Sequence, residues 1–265
     1  TLNADHSKCY VSYTEGFVHS IDVATGEHAL ISGDARGTGA SLSWPSRPVL
    51  NNAESKLYLT NEADDTLVEI DILTGNRSIV SGGATGSGTS FGAPKGVALS
   101  SDELSAYVTD STQNAIFLVS LVTGARTIVS SGSTGTGPAF MYPAEIRISG
   151  DGATAYVFDP QEETIFIVDI ASGNRTTVSD LNTIASANSN FRHSLVLNSD
   201  ETAAYTTTES QRDIFEVNLS TGALTARSGN ATGSGVSIGS INEMAVNATE
   251  TVAYLTDVSN DRLVS

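Results

Sequence analysis

The chain has 265 residues, which is long enough to bury one large core or to form two domains. Lys and Arg total 13 against 30 Asp and Glu, and the resulting net charge of −17 repels phosphate backbones and anionic lipid headgroups. We therefore expect no nucleic-acid partner and no membrane insertion, since no apolar run is long enough to span a bilayer either.

The chain is built from a sequence repeat of 49 residues. The repeat is marked by a glycine in a short turn with the pattern Asp-x-x-Thr-Gly-x-Arg and its variants, at Gly26, Gly75, Gly124, Gly173 and Gly222. One unit contains four apolar runs rich in Val, Ile, Thr and Tyr, at 95–100, 105–110, 115–121 and 126–130. Each unit therefore predicts four antiparallel β-strands, and no segment has the 3.6-residue apolar period of a helix.

Four-stranded antiparallel units repeated around an axis form a β-propeller. A tyrosine recurs in the second strand of each unit, at Tyr10, Tyr58, Tyr107, Tyr156, Tyr205 and Tyr254, which predicts six blades. We expect one all-β domain over 1–265, with units at approximately 1–43, 44–92, 93–141, 142–190, 191–239 and 240–265. The first and last units are short, so these two blades are predicted to be incomplete.

A glycine-rich stretch follows the outer strand of most units, as in "SGGATGSG" at 81–88. We predict that it crosses from one blade to the inner strand of the next; it is not a phosphate loop, because no Gly-Lys-Ser/Thr and no helix follow it. The arginines that end the small turns, Arg77, Arg126 and Arg175, are expected on the opposite face, paired with acidic neighbours in water. Cys9, the single cysteine, is predicted to be a small buried side chain.

The repeats disagree where the inner strands begin, and the disagreement is polar. These positions hold Arg47, Lys95, Glu145, His193, Asn242 and Glu243. Positions that break a repeat toward charge are candidates for function, and the inner strands of a propeller converge on a central channel. Three aromatic residues precede the same strands, Trp44, Tyr142 and Phe191, and they either stack on a ligand at the channel mouth or wedge between blades.

A second polar position lies three residues after the recurrent tyrosine. It is occupied by Asp110, Asp159 and Asp257, in "AYVTDS", "YVFDP" and "AYLTDV". Such a carboxylate either caps the turn that follows it or ligates a cation.

The phrases "AYVTDS" and "AYLTDVSN", together with the Asp-x-x-Thr-Gly-x-Arg turn, resemble the NHL-repeat and regucalcin/gluconolactonase/strictosidine-synthase group of six-bladed propellers over essentially the whole chain. In the lactonase branch this resemblance implies a divalent cation, commonly calcium, in the channel. Glu145, Glu243, Asn242, Asp110, Asp159 and Asp257 are the positions that such ligation would use. Oxygen ligands of this kind suit calcium rather than zinc.

These patterns favour a binding or interaction protein located outside the cytoplasm, secreted or periplasmic, that holds a small molecule, glycan or protein at the channel-mouth face. Trp44, Tyr142, Phe191 and Asn242 would contact the ligand. One alternative is a lactonase or esterase in which a channel calcium polarises a carbonyl. A second alternative is a polysaccharide or lactone-ring lyase, with His193 as base and Arg47 or Lys95 neutralising a substrate carboxylate.

Overall fold

The protein is a six-bladed β-propeller, as the repeat predicts. The computed structural model describes residues 1–180, 191–208, 213–229, 234, 236–239, 241–247, 249–257, 260 and 262–265. Apart from one turn of 3₁₀ helix at Glu62–Asp64, the regular elements of these residues are antiparallel strands in six sheets. None of the described residues forms a helix long and apolar enough to cross a membrane.

Each blade is a meander in which the strands follow one another from the channel outward. Blade 1 has β1 (Lys8–Tyr13), β2 (Phe17–Asp22) and β3 (His28–Ser32). Blade 2 has β4 (Val49–Leu50), β5 (Lys56–Asn61), β6 (Thr66–Asp71) and β7 (Arg77–Gly82), and blade 3 has β8 (Pro94–Leu99), β9 (Ser105–Asp110), β10 (Ala115–Ser120) and β11 (Arg126–Ser130). Blade 4 has β12 (Glu145–Ile148), β13 (Thr154–Asp159), β14 (Thr164–Asp169) and β15 (Arg175–Asp180). Blade 5 has β16 (Phe191–Leu197), β17 (Ala203–Thr208), β18 (Asp213–Asn218) and β19 (Leu224–Gly229), and blade 6 has β20 (Ile241–Val246), β21 (Ala253–Asp257) and β22 (Arg262–Val264).

Blades 1 and 6 have three strands each in the described part of the chain, which confirms the predicted incompleteness. Among the described residues, the inner position beside β1 of blade 1 is occupied by the first residues of the chain, where Leu2 forms an isolated antiparallel bridge with Cys9. Blade 6 ends at its third strand, β22. Cys9 is buried as predicted, and burial raises the pKa of its thiol.

The apolar core lies between neighbouring blades rather than within one sheet. At the junction of blades 3 and 4, Ile116 packs with Phe140, Ile146 and Phe166 in one buried cluster. Phe140 meets Phe166 edge to face, with ring centroids 4.8 Å apart. Because each large side chain removed from water contributes about 1.5–3 kcal/mol, every blade depends on its neighbours for stability.

The glycine-rich crossing lies directly on the small turn of the next blade. A Cβ atom on Gly37 would lie 1.9 Å from the carbonyl oxygen of Gly75, which itself has a φ of +77°. Beside this contact the Arg77 N–H donates to the Thr38 carbonyl over 2.7 Å. The glycines therefore allow one backbone to pack against another, and the predicted role of the stretch as a crossing is confirmed.

The prediction for the turn arginines is wrong: Arg77, Arg126 and Arg175 are buried, with 9%, 8% and 5% of their surface exposed. Arg126 donates from Nη1 to Ser81 Oγ over 2.7 Å and to the Thr85 carbonyl over 3.1 Å, and from Nε to the Thr89 carbonyl over 2.8 Å. These acceptors belong to the preceding blade and its crossing. The crossing carbonyls need donors away from water, and a guanidinium supplies five in a fixed fork.

Replacing Arg126 by alanine should lower the free energy of unfolding by about 3 kcal/mol, because several buried oxygens lose their donor. Arg126→Lys should recover only part of this loss, since an ammonium cannot reproduce the fork. Urea denaturation measures both. The control is Arg227→Ala, which removes an exposed pair with Glu216 and should cost less than about 1 kcal/mol. An equal loss in Arg126→Ala and Arg227→Ala would contradict the buried arginine as a blade-to-blade tie.

Candidate functional site

A cavity of about 390 Å³ opens at one mouth of the channel, between the starts of the inner strands. Blades 1, 2, 3, 4 and 6 contribute to its wall. Six residues that the sequence singled out line it together: Trp44, Arg47, Lys95, Tyr142, Glu145 and Glu243. The predicted convergence of unlike side chains on the channel is therefore confirmed for these six.

Bulges in two of the inner strands direct the side chains of Lys95 and Glu243. The pairing of β8 with β9 shifts register between Pro94 and Val97, which places Lys95 in the bulge. The pairing of β20 with β21 shifts register between Ile241 and Met244, which places Glu243 in a second bulge. In blade 6 the Thr256 hydroxyl accepts the Glu243 N–H over 2.9 Å, in place of a ladder hydrogen bond. A bulge turns a side chain away from the regular alternation, here toward the cavity.

The floor of the cavity holds a buried group of opposite charges. Glu145 Oε2 lies 3.1 Å from Arg147 Nη1 and 3.8 Å from Arg47 Nη1. Burial, with Arg47 nearby, lowers the pKa of Arg147 to about 10. Sequence comparison of the units did not identify Arg147, although it lies two residues after Glu145 on one strand, and strand alternation places such residues on the same side.

Glu243 joins this group from blade 6. It is 9% exposed. Burial raises the pKa of its carboxyl group and the neighbouring Glu145 raises it further, whereas the Thr1 amino group, Arg47 and Arg147 offset only part of the rise. The floor therefore combines two guanidinium groups with one carboxylate held by Arg147 and a second whose ionisation burial disfavours.

Arg47 makes no hydrogen bond to the described residues. Its side chain is 12% exposed, and its Nη1 is shielded from solvent without an acceptor. Arg47 also lines a second cavity of about 400 Å³, which contains His6, Asn51 and Val196 and lies at the other end of the inner strands. Arg47 therefore lies between the two cavities of the channel.

The rim of the cavity carries a charge pair beside an aromatic ring. Lys95 forms an ion pair with Glu62, and its Nζ lies 5.0 Å from the centroid of the Tyr142 ring. Burial alone would lower the pKa of Lys95, but hydrogen bonds to Glu62 and Tyr142 raise it above its usual value. Glu62 was not predicted; it lies in the loop between the second and third strands of blade 2, where blade 3 has Ser111.

Trp44 is the most exposed of the aromatic residues considered. It is 64% exposed and has a φ of 56°, in the left-handed region. The other described non-glycine residues with positive φ lie in the two turns that recur around the ring; they are His6, Glu54, Asp65, Glu103, Asn114, Glu163, Glu201 and Glu250. The wedge between blades is formed two residues earlier in the repeat, by the buried Phe91 and Phe140. Trp44 and the half-buried Tyr142 thus lie at the channel mouth.

The three aspartates after the recurrent tyrosines are buried and do not line the cavity. Asp110 accepts the Gly92 N–H over 2.7 Å and the Gln113 N–H over 2.9 Å, so it ties the loop before the inner strand to the turn after the second strand. The same loops meet at Asp159, which accepts the Tyr142 N–H over 2.8 Å. Asp257 accepts the Gly239 N–H and lies 3.0 Å from Arg262. Turn capping, the first alternative for this position, is confirmed for Asp110 and Asp159, which accept N–H groups of the turns that follow them.

The described residues do not fit a channel calcium ion of the lactonase kind. Calcium takes 6–8 oxygen ligands. Glu145 faces two arginines, the aspartate carboxylates are hydrogen-bonded away from the cavity, and the described residues contain no group of three or more His, Cys, Asp and Glu able to hold a metal. Three further candidates, Phe191, His193 and Asn242, have side chains outside the described part of the chain.

No family model and no curated protein sequence matches the chain. Among solved structures it is similar to hydrazine synthase of Kuenenia stuttgartiensis, with a TM-score of 0.65 and 16% identity over 99% of this chain and 74% of that one. It is also similar to an auxiliary nutrient binding protein from Bacteroides thetaiotaomicron, with a TM-score of 0.73 and 13% identity over 99% and 67%. A third similar structure is a nidogen/laminin complex, with a TM-score of 0.64 and 13% identity over 84% of this chain and 76% of that one. At these identities the likeness shows the fold alone, and the chain is a six-bladed β-propeller protein.

Adding calcium at about 10 mM, above the dissociation constants of weak protein calcium sites, should leave the midpoint of thermal unfolding unchanged. The reason is that Glu145 is held by Arg147 and cannot turn both oxygens toward a cation. Differential scanning calorimetry measures the midpoint with and without calcium. A rise that disappears in Glu145→Gln or Glu243→Gln would contradict this prediction and restore the lactonase-type site.

Proposed function

We propose that the protein is a binding protein that holds a carbohydrate in the channel-mouth cavity, with Trp44 and Tyr142 contacting the sugar ring. The observation that carries the proposal is the state of Trp44. Its indole is mostly exposed at the rim of a cavity that also contains charged side chains. An apolar ring surface beside fixed polar groups suits a sugar, which has apolar C–H faces and a polar edge.

The backbone at Trp44 supports a role in binding rather than in folding. A non-glycine residue in the left-handed region costs about 1–2 kcal/mol, and strain of this kind clusters at binding sites. The Trp44 side chain does not recover this cost by burial, since 64% of it is exposed. Its carbonyl accepts the Glu62 N–H over 3.3 Å, which links the aromatic residue to the Lys95–Glu62 pair on the rim.

The size and charge of the cavity match a small polar ligand. Its volume of about 390 Å³ lies near the lower end of the 300–1,000 Å³ typical of ligand sites. Lys95 and Glu62 supply one donor and one acceptor group at the rim, and Arg47 and Glu145 supply another pair at the floor. Lys95 and Glu145 lie on inner strands, Arg47 precedes one, and Glu62 lies in a loop of blade 2; together these groups fix the orientation of a bound molecule.

A binding function is favoured over a metal-dependent lactonase because Arg147 holds Glu145, and because Asp110 and Asp159 accept backbone N–H groups instead of facing the cavity. One of the similar structures is an auxiliary nutrient binding protein, which supports the same choice. The proposal includes membership of the NHL-repeat and regucalcin-like group of propellers. The recurrent Tyr-x-x-Asp and Thr-Gly-x-Arg motifs support this membership. The acidic, lysine-poor composition favours a location outside the cytoplasm, where such a protein would meet free carbohydrate.

Isothermal titration with a panel of mono- and oligosaccharides should identify at least one that binds, and Trp44→Gly should weaken that binding at least about tenfold, or ~1.4 kcal/mol. Glycine accepts the left-handed backbone without strain, so the unfolding midpoint of Trp44→Gly should be no lower than that of the natural protein.

The matched control is Leu73→Ala, which removes another large exposed apolar side chain, 85% exposed and outside the cavity lining. It should leave binding unchanged. The proposal fails when no saccharide of the panel binds, or when Trp44→Gly binds as tightly as the natural protein.

A further inference from the structure

We infer that the bound carbohydrate is a uronic acid, or a chain that ends in one, and that its carboxylate binds the Arg47 guanidinium at the floor of the cavity. The inference rests on the proposed carbohydrate binding and names the class of sugar. It assigns to Arg47 the acceptor that the described residues do not supply.

A guanidinium that is mostly buried without a hydrogen bond is an exception in folded proteins and calls for an explanation. Arg47 forms an ion pair with Glu145, but the distance from Arg47 Nη1 to Glu145 Oε2 is 3.8 Å, which is too long for a hydrogen bond. That same oxygen is 3.1 Å from Arg147 Nη1, so Glu145 is held by the other arginine. Glu243 also lies near Arg47, and burial disfavours its ionised form.

The other buried arginines of this fold show what a structural guanidinium looks like here. Arg175 donates to Ser130 Oγ over 2.6 Å, to the Ser131 carbonyl over 2.9 Å and, from Nε, to the Pro138 carbonyl over 2.7 Å. Arg77 and Arg126 make the corresponding bonds. The fold thus provides several acceptors for each arginine that ties blades together, whereas Arg47 lines a cavity and has none among the described residues.

The ring does not require an arginine at this position. In the superposed units Arg47 corresponds to Gly96, Glu145, Ser194 and Glu243. Three other blades therefore have an acid or a serine at this position, and blade 3 has a glycine that lies against the Ala144 backbone. Arg47 is the cation among these five residues, and it lies three residues after Trp44, the exposed aromatic residue at the mouth of the channel. The exception to the repeat therefore coincides with the proposed sugar contact.

The segment that carries both residues is fixed before a ligand arrives. Between Trp44 and Arg47, the Ser46 hydroxyl accepts the Thr60 N–H over 2.9 Å, and the Ser46 carbonyl accepts the Ser12 hydroxyl over 2.8 Å. A ligand that contacts both residues must be rigid and must have a ring to lie against Trp44 and a carboxylate to bind Arg47. A uronic acid has both. An arginine binds a carboxylate through two parallel hydrogen bonds, whereas the other cation of the cavity, Lys95, is already paired with Glu62.

The test measures binding of galacturonate, glucuronate and mannuronate, of the matching neutral sugars galactose, glucose and mannose, and of acetate, by isothermal titration. We expect at least one uronate to bind at least about tenfold more tightly than its neutral partner. Arg47→Gln should remove this preference, and Arg47→Lys should restore only part of it. The serine and the two glutamates at the corresponding positions of blades 5, 4 and 6 indicate that the variants fold, and their unfolding midpoints verify it.

Two control variants should keep the preference for the uronate. Arg227→Gln changes an exposed arginine far from the channel, and His6→Ala changes a residue of the second cavity, at the other end of the inner strands. Equal binding of uronates and neutral sugars would overturn the inference and leave the proposed carbohydrate function standing. Acetate binding as tightly as a uronate, lost in Arg47→Gln, would support the carboxylate site and overturn the carbohydrate function. Absence of binding by every uronate and every neutral sugar would overturn both.

Discussion

The structure depends on the contact of the glycine-rich crossing of one blade with the small turn of the next blade and with the arginine that begins its outer strand. Backbone lies on backbone there, as between Gly37 and Gly75, and a buried guanidinium such as Arg77 donates to the crossing carbonyls. No blade can make this contact alone, so the units stabilise one another in sequence, as in other repeat proteins. The same requirement explains why glycine and arginine recur at fixed positions of a 49-residue unit.

The blades are held together at their outer strands and through the apolar side chains between them. The starts of the inner strands differ from one blade to the next, and five of the blades bring unlike side chains to one cavity although their residues are far apart in sequence. Aspartates such as Asp159 hold the loops in front of the inner strands and so position residues such as Tyr142. The conserved geometry of the repeat thus presents variable chemistry at one face.

The strands, the six blades and the convergence of Arg47, Lys95 and Glu145 could be predicted from the sequence, because each follows from a period. The burial of Arg126 could not, since the carbonyls that need its donors belong to an irregular segment of another blade. Comparison of the units did not identify Arg147 or Glu62. The place of Arg147 follows from strand alternation after Glu145, and the place of Glu62 follows from the path of a loop in blade 2. The alternatives for Asp110, turn cap or metal ligand, required the positions of the surrounding N–H groups.

The central claim is that the channel mouth is a ligand site with a fixed ring contact and a fixed anion contact. A crystal structure of the protein soaked with galacturonate tests it most directly. The account predicts the sugar in the cavity with its ring beside Trp44 or Tyr142, and a carboxylate oxygen within about 2.7–2.9 Å of an Arg47 nitrogen. Sugar density only elsewhere on the molecule, with water alone against the Arg47 guanidinium, would contradict it.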